Sequence, residues 1–160
     1  MSKKLVAFFS AGGVTADAAK KIASAANADL YEIRPEVPYT EADLNWQDKS
    51  SRSSVEMGNR SIRPAIADKD AKIGNYDVIF LGFPIWWYTA PTIINSFLES
   101  YDFSGKTIIL FATSGSTGFD KAAGDLKVSV SGSAIIKEGI VIHGKKSSEE
   151  WKRWVEDLGL

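Results

Sequence analysis

The short apolar runs of this chain constrain its fold more than any other feature. Residues 5–9, 30–33, 78–81 and 107–112 form four such runs, and a fifth, 134–142, is interrupted by Lys137-Glu138-Gly139. Several are apolar at consecutive positions instead of every second one. A strand with one face in water alternates, whereas a strand covered on both faces need not, so the pattern points to a parallel sheet with helices on both sides. Helical stripes fall between the runs. Ala19, Ile22, Ala23 and Ala26 follow the first, with Asp17 four residues before Lys21. Pro91 suits a first helical turn, and Ile94, Phe97, Leu98 and Tyr101 then repeat at helical spacing. Phe119, Ala122, Ala123, Leu126 and Val130 repeat in the same way. Ser147 and Glu150 read as a capping box ahead of Trp151, Trp154, Val155 and Leu158, with Gly159 as the stop.

Strands alternating with helices predict an α/β fold, a doubly wound five-stranded parallel sheet of order 2-1-3-4-5 forming one domain over residues 1–160. Ligands of such sheets bind outside the carboxyl ends of the strands, here in the loops after strands one, three and four. Composition narrows the chemistry. With 44% hydrophobic and 24% charged residues, the 160-residue chain is an ordinary globular one. Lys and Arg number 19 against 20 Asp and Glu, a net charge of -1, so no nucleic-acid or membrane-surface partner is expected. The absence of Cys rules out disulfides, thiolate metal sites and Cys nucleophiles, and the single His, His143, rules out a multi-His metal site. The apolar start reads as a buried strand, not an export segment, and run 78–88 is broken by Gly82 and Pro84, short of a membrane span. A cytoplasmic location is expected.

The three loops carry the functional signal. Ser10-Ala11-Gly12-Gly13-Val14-Thr15 lies directly between strand and helix. Its glycines allow a tight turn and close approach of N–H groups to an anion, the helix adds its dipole, and Ser10 and Thr15 offer hydroxyls. It contains no Lys or Arg, so a phosphate there is expected to rest on neutral donors. Gly82-Phe83-Pro84-Ile85-Trp86-Trp87-Tyr88-Thr89-Ala90-Pro91 sets flat aromatic surfaces between prolines; these rings serve ligand stacking, or else fill the core or an interface. Thr113-Ser114-Gly115-Ser116-Thr117-Gly118 exposes backbone groups able to hydrogen-bond the edge of a heterocycle.

With these loops in register, the chain resembles the flavodoxin family over essentially its whole length. Residues 10–15 are similar to the family's phosphate loop, Ser/Thr-x-Thr-Gly-x-Thr, with Gly12 where the family usually has Thr. Residues 82–87 look like the strand-three loop that flanks the isoalloxazine in a flavodoxin-like subgroup, and 113–118 take the place of the third flavin loop. The resemblance implies non-covalent FMN and one- or two-electron transfer. It places FMN against Ser10, Gly12, Gly13, Val14 and Thr15, against Pro84, Ile85, Trp86 and Trp87, and against Thr113, Ser114, Gly115, Ser116 and Gly118. The redox counterpart is expected to be a partner protein or a small-molecule electron donor or acceptor. An FMN-dependent NAD(P)H or quinone oxidoreductase is the alternative, and a non-redox interaction domain with Trp86 and Trp87 as a partner patch is the third reading.

The long polar connection 34–76 fits the pattern least well. A weak helix is expected around 41–57. Two placements are open for 46–63. It packs on the sheet, or it covers the flavin edge and offers Arg52, Arg60 or Arg63 to a substrate phosphate.

Overall fold

The computed structural model describes residues 3–11, 13–114, 118–119, 121–142 and 146–160. Five parallel strands run β1 (Lys4–Phe8), β2 (Asp29–Glu32), β3 (Val78–Pro84), β4 (Thr107–Thr113) and β5 (Ile135–Ile142). They lie in the order β2-β1-β3-β4-β5, the expected topology. All four pairings are parallel.

The consecutive apolar residues of the inner strands supply two cores. Leu5, Ala7, Ile79, Leu81, Phe83, Ile108 and Leu110 point to one face. Val6, Phe8, Val78, Phe80, Ile109 and Phe111 point to the other. Side chains alternate across a strand, so a run without polar residues fills both layers. Helix α1 (Val14–Ala26) covers the second face with Ala18, Ala19 and Ile22, and α5 (Ser148–Asp157) joins it there through Trp151. Helices α3 (Thr92–Glu99) and α4 (Ala122–Lys127) cover the first. The capping box of α5 forms as expected, Ser147 Oγ accepting from the Glu150 amide at 3.2 Å and Glu150 Oε1 from the Ser147 amide at 3.0 Å.

Two strands and the long connection differ from their sequence patterns. β2 is an edge strand with Leu30 exposed, so covering on both faces holds only for the inner strands. β5 runs straight through Lys137-Glu138-Gly139, with an extra residue opposite the Leu110–Phe111 step. The connection 34–76 holds only the seven-residue α2 (Arg52–Gly58) and a 3₁₀ turn, Ile73–Asn75, in place of a helix through 41–57. Side-chain bonds between distant residues fix its course: Tyr31 to Asp68, Arg34 Nη2 to Asp68 at 3.0 Å, and Arg63 Nε to Glu99 at 3.0 Å. No helix among the described residues is long and apolar enough to cross a membrane.

Candidate functional site

The loops at the carboxyl ends of β1, β3 and β4 line a cavity of about 890 Å³. The start of α1 forms one part of its wall. Its N-cap, Gly13, has φ 91° and no side chain to satisfy the first turn, so the anion-attracting end of the helix is left without a side-chain cap. The Gly13 amide donates to Ser10 Oγ at 3.0 Å, which folds the loop on itself and leaves the Ser10 hydroxyl proton to point elsewhere. Thr15 is buried, and its Oγ1 lies 2.8 Å from Thr113 Oγ1. One hydroxyl of this pair donates to the other, so one proton remains for a further acceptor. The bond also ties the first loop to the third.

Lys21 and Lys146 line the same cavity, held by Asp17 at 3.0 Å and Glu150 at 4.0 Å. The loop itself has no cation, as its sequence shows; α1 and the approach to α5 bring two to the cavity, and Asp17, paired with Lys21, lines it too. Trp151 also lines it, and its buried indole Nε1 has no hydrogen-bond partner among the described residues. A buried donor without an acceptor is costly.

Leu44, Pro84, Ile85 and Trp86 form one apolar stretch of the wall. The Ile85 amide donates to the Thr113 carbonyl at 2.9 Å, which binds the second loop to the third. Trp86 meets Phe9 edge-on at 5.7 Å and Tyr39 edge-on at 5.6 Å between ring centroids. Tyr39 carries the Arg52 guanidinium over its ring at 3.8 Å and donates to Glu56 at 2.5 Å. Burial and that hydrogen bond to Glu56 push the phenol far above its ordinary pKa, so it stays protonated. Beyond Trp86 the chain turns back in a two-residue hairpin. The Trp86 amide donates to the Thr89 carbonyl at 2.9 Å, and the Thr89 amide to the Trp86 carbonyl at 3.0 Å. Trp87 and Tyr88 both have positive φ, 48° and 66°. Bulky residues pay roughly 1–2 kcal/mol each for that conformation, which Asn-Gly adopts readily.

Of the residues expected at the site, the cavity brings together Gly13, Val14, Thr15, Pro84, Ile85, Trp86, Thr113 and Ser114. Ser10 contributes through its bond to Gly13 without lining the wall, and Trp87 and Gly118 also stand outside the lining. Gly12, Gly115 and Ser116 lie outside the described residues, as do Thr117 and His143. Arg52, Arg60 and Arg63 do not line the cavity; each is engaged by carbonyls or acidic or amide side chains of the chain itself. The connection reaches the wall at Leu44 instead, just ahead of 46–63. Lys21, Leu44, Lys146 and Trp151 were not singled out as site residues by sequence. The Asp17–Lys21 spacing was visible, but which way that face of α1 points depends on how α5 packs on it.

The residues present suit a phosphorylated planar ligand. An uncapped helix start, hydroxyls and lysines fit an anion, and the apolar wall ending in Trp86 fits an aromatic ring. A comparison with curated proteins gives no match. A candidate flavoprotein from Bacteroides eggerthii is 46% identical, with a TM-score of 0.92 over 100% of this chain and 99% of its own. Another from Bacteroides uniformis is 48% identical, with a TM-score of 0.90 over 97% and 98%. A Lactobacillus acidophilus flavoprotein solved in complex with FMN shares the fold at 22% identity, TM-score 0.67, over 96% and 99%. The family profile described as Flavodoxin matches residues 3–158, and the chain belongs to the flavodoxin family.

Proposed function

We propose that this protein binds FMN non-covalently and passes electrons between a donor and an acceptor. The observation that carries this reading is one cavity joining the uncapped start of α1 to the apolar wall of Pro84, Ile85 and Trp86. Ser10, Gly12, Gly13, Val14 and Thr15 hold the phosphate, with Lys21 and Lys146 adding positive charge. Pro84, Ile85, Trp86 and Trp87 border the ring, and Thr113, Ser114, Gly115, Ser116 and Gly118 meet its polar edge. The assignments of Gly12, Gly115 and Ser116 rest on their places in the family's loops. Bound FMN supplies one- or two-electron chemistry; the protein orients the ring, shields it from water and sets the charge around it. Trp86, braced by Phe9 and Tyr39, presents a fixed surface to the ring.

The purified protein, or its apo form given FMN, should show a bound-flavin absorbance spectrum. FMN should bind at least about tenfold tighter than riboflavin, since a single hydrogen bond to a charged group is worth roughly 1.5–3 kcal/mol. Equal affinity for the two overturns the phosphate assignment. The cavity volume of about 890 Å³ is near the upper end for small-molecule sites, which favours a second reading: an FMN-dependent NAD(P)H or quinone oxidoreductase with a second reactant over the ring. Steady-state oxidation of NAD(P)H with a quinone separates that enzyme from a carrier.

A further inference from the structure

The strained hairpin after Trp86 is anchored at each of its outgoing residues. The Tyr88 carbonyl accepts from the Lys121 amide at 3.3 Å, and Thr89 Oγ1 donates to Asp125 Oδ2 at 2.6 Å. The Ala90 carbonyl accepts from Arg60 Nη1 at 2.6 Å. Arg60 is the hub of this anchorage. Its Nη2 donates to Asn95 Oδ1 at 3.2 Å and lies 3.9 Å from Asp125 Oδ2, the oxygen that receives Thr89. Asn95 in turn donates to the Asp125 carbonyl at 3.0 Å and to Ser129 Oγ at 2.8 Å. One guanidinium thus joins the long connection to the hairpin, to α3 and to α4. Its planar fork reaches two acceptors at once.

Burial does not explain the hairpin's conformation. Trp87 and Tyr88 take positive φ while remaining 43% and 61% exposed. A backbone held in a disfavoured region persists only where its surroundings over-determine it. Here the surroundings are Arg60, Asp125 and Lys121, and what they hold in place is the base of the turn that begins at Trp86, a residue of the cavity wall.

We propose that Arg60 is a positioning residue for the flavin ring, clamping the strained 86–89 turn so that Trp86 stays at the cavity wall. This rests on the FMN reading. It does not concern the phosphate, which distinguishes Arg60 from the residues of the first loop.

The test is a double-mutant cycle. Arg60→Met should weaken FMN and riboflavin alike, by on the order of tenfold, as expected for loss of a charge-assisted hydrogen bond that fixes the ring wall. The same substitution in a Tyr88→Gly background, which leaves Trp87 in place, should cost less, because glycine takes the positive φ of position 88 without the clamp. A loss of equal size in both backgrounds, or no loss in the parent turn, overturns the proposal. So does a loss for FMN that spares riboflavin. Hydrogen exchange of the Thr89 amide, which bonds to the Trp86 carbonyl across the turn, needs no flavin. Its protection should fall with Arg60→Met in the parent turn and fall less in the Tyr88→Gly turn. Arg60→Lys, which keeps the charge but not the fork, should move both readouts in the same direction by less, and it serves if Arg60→Met fails to fold. A parent chain that binds neither flavin sinks the FMN reading, while the exchange measurement still reports whether Arg60 holds the turn.

Discussion

Gly13→Val should weaken FMN binding on the order of a hundredfold, close to 2.7 kcal/mol, while changing riboflavin affinity far less. Gly13 is the N-cap of α1 at φ 91°, and its amide and carbonyl both work: the first donates to Ser10 Oγ, the second accepts from the Asp17 amide at 3.1 Å. A β-branched residue is a true outlier at that φ. Holding the conformation costs roughly 1–2 kcal/mol, and relaxing it turns the first amides of α1 away from the phosphate. No described atom of the chain crowds the position, because a Cβ built on Gly13 meets nothing within 4 Å, so within the protein the cost is conformational. Gly13→Asn, whose side chain tolerates the left-handed region, should retain most of the affinity. Titrations of the apo protein with FMN and riboflavin check both variants. If Gly13→Val binds FMN like the parent chain, the helix start does not hold the phosphate.

The same logic shows which parts of the molecule were legible in its sequence. Leu5, Val6, Ala7 and Phe8 are consecutive and apolar because a central strand feeds two cores, and that is a local signal. The loops after β1, β3 and β4 were legible because topology alone places them along one edge of the sheet. Lys146 and Trp151 were not. They reach the cavity because α5 returns over the sheet to pack on α1, a tertiary event with no mark in the spacing of either helix. The connection 34–76 was opaque for a related reason. Arg34 with Asp68, Tyr39 with Glu56 and Arg63 with Glu99 hold it, and such pairs lie far apart in sequence. α4 is shorter than the stripe from Phe119 to Val130 implies, with Gly124 inside it and Val128 exposed beyond its end.

Gly82→Ala should destabilise the fold by about 3 kcal/mol, the upper end of the usual range for an overpacked core. Gly82 lies in β3 between Phe8 of β1 and Phe111 of β4. A Cβ there would stand 2.1 Å from Phe111 Cζ, 2.2 Å from Cε2 and 2.7 Å from Cε1. The ring has nowhere to go, because Phe111 is fully buried among Val6, Phe8, Phe80 and Ile109. For a domain of this size the melting temperature should fall by roughly 6–12 °C. The disturbance should also reach the site, since the Gly82 carbonyl accepts the Phe9 amide at 3.0 Å and Pro84 follows two residues on at the cavity wall. Phe111→Leu tests the cause. Alone it leaves a void where the ring stood; with Gly82→Ala the new methyl occupies part of that void. The pair should therefore be more stable than the sum of the single effects predicts, by about 1 kcal/mol or more. Strictly additive losses, measured by thermal and denaturant unfolding of all four chains, would mean that the ring of Phe111 is not what keeps a side chain out of position 82.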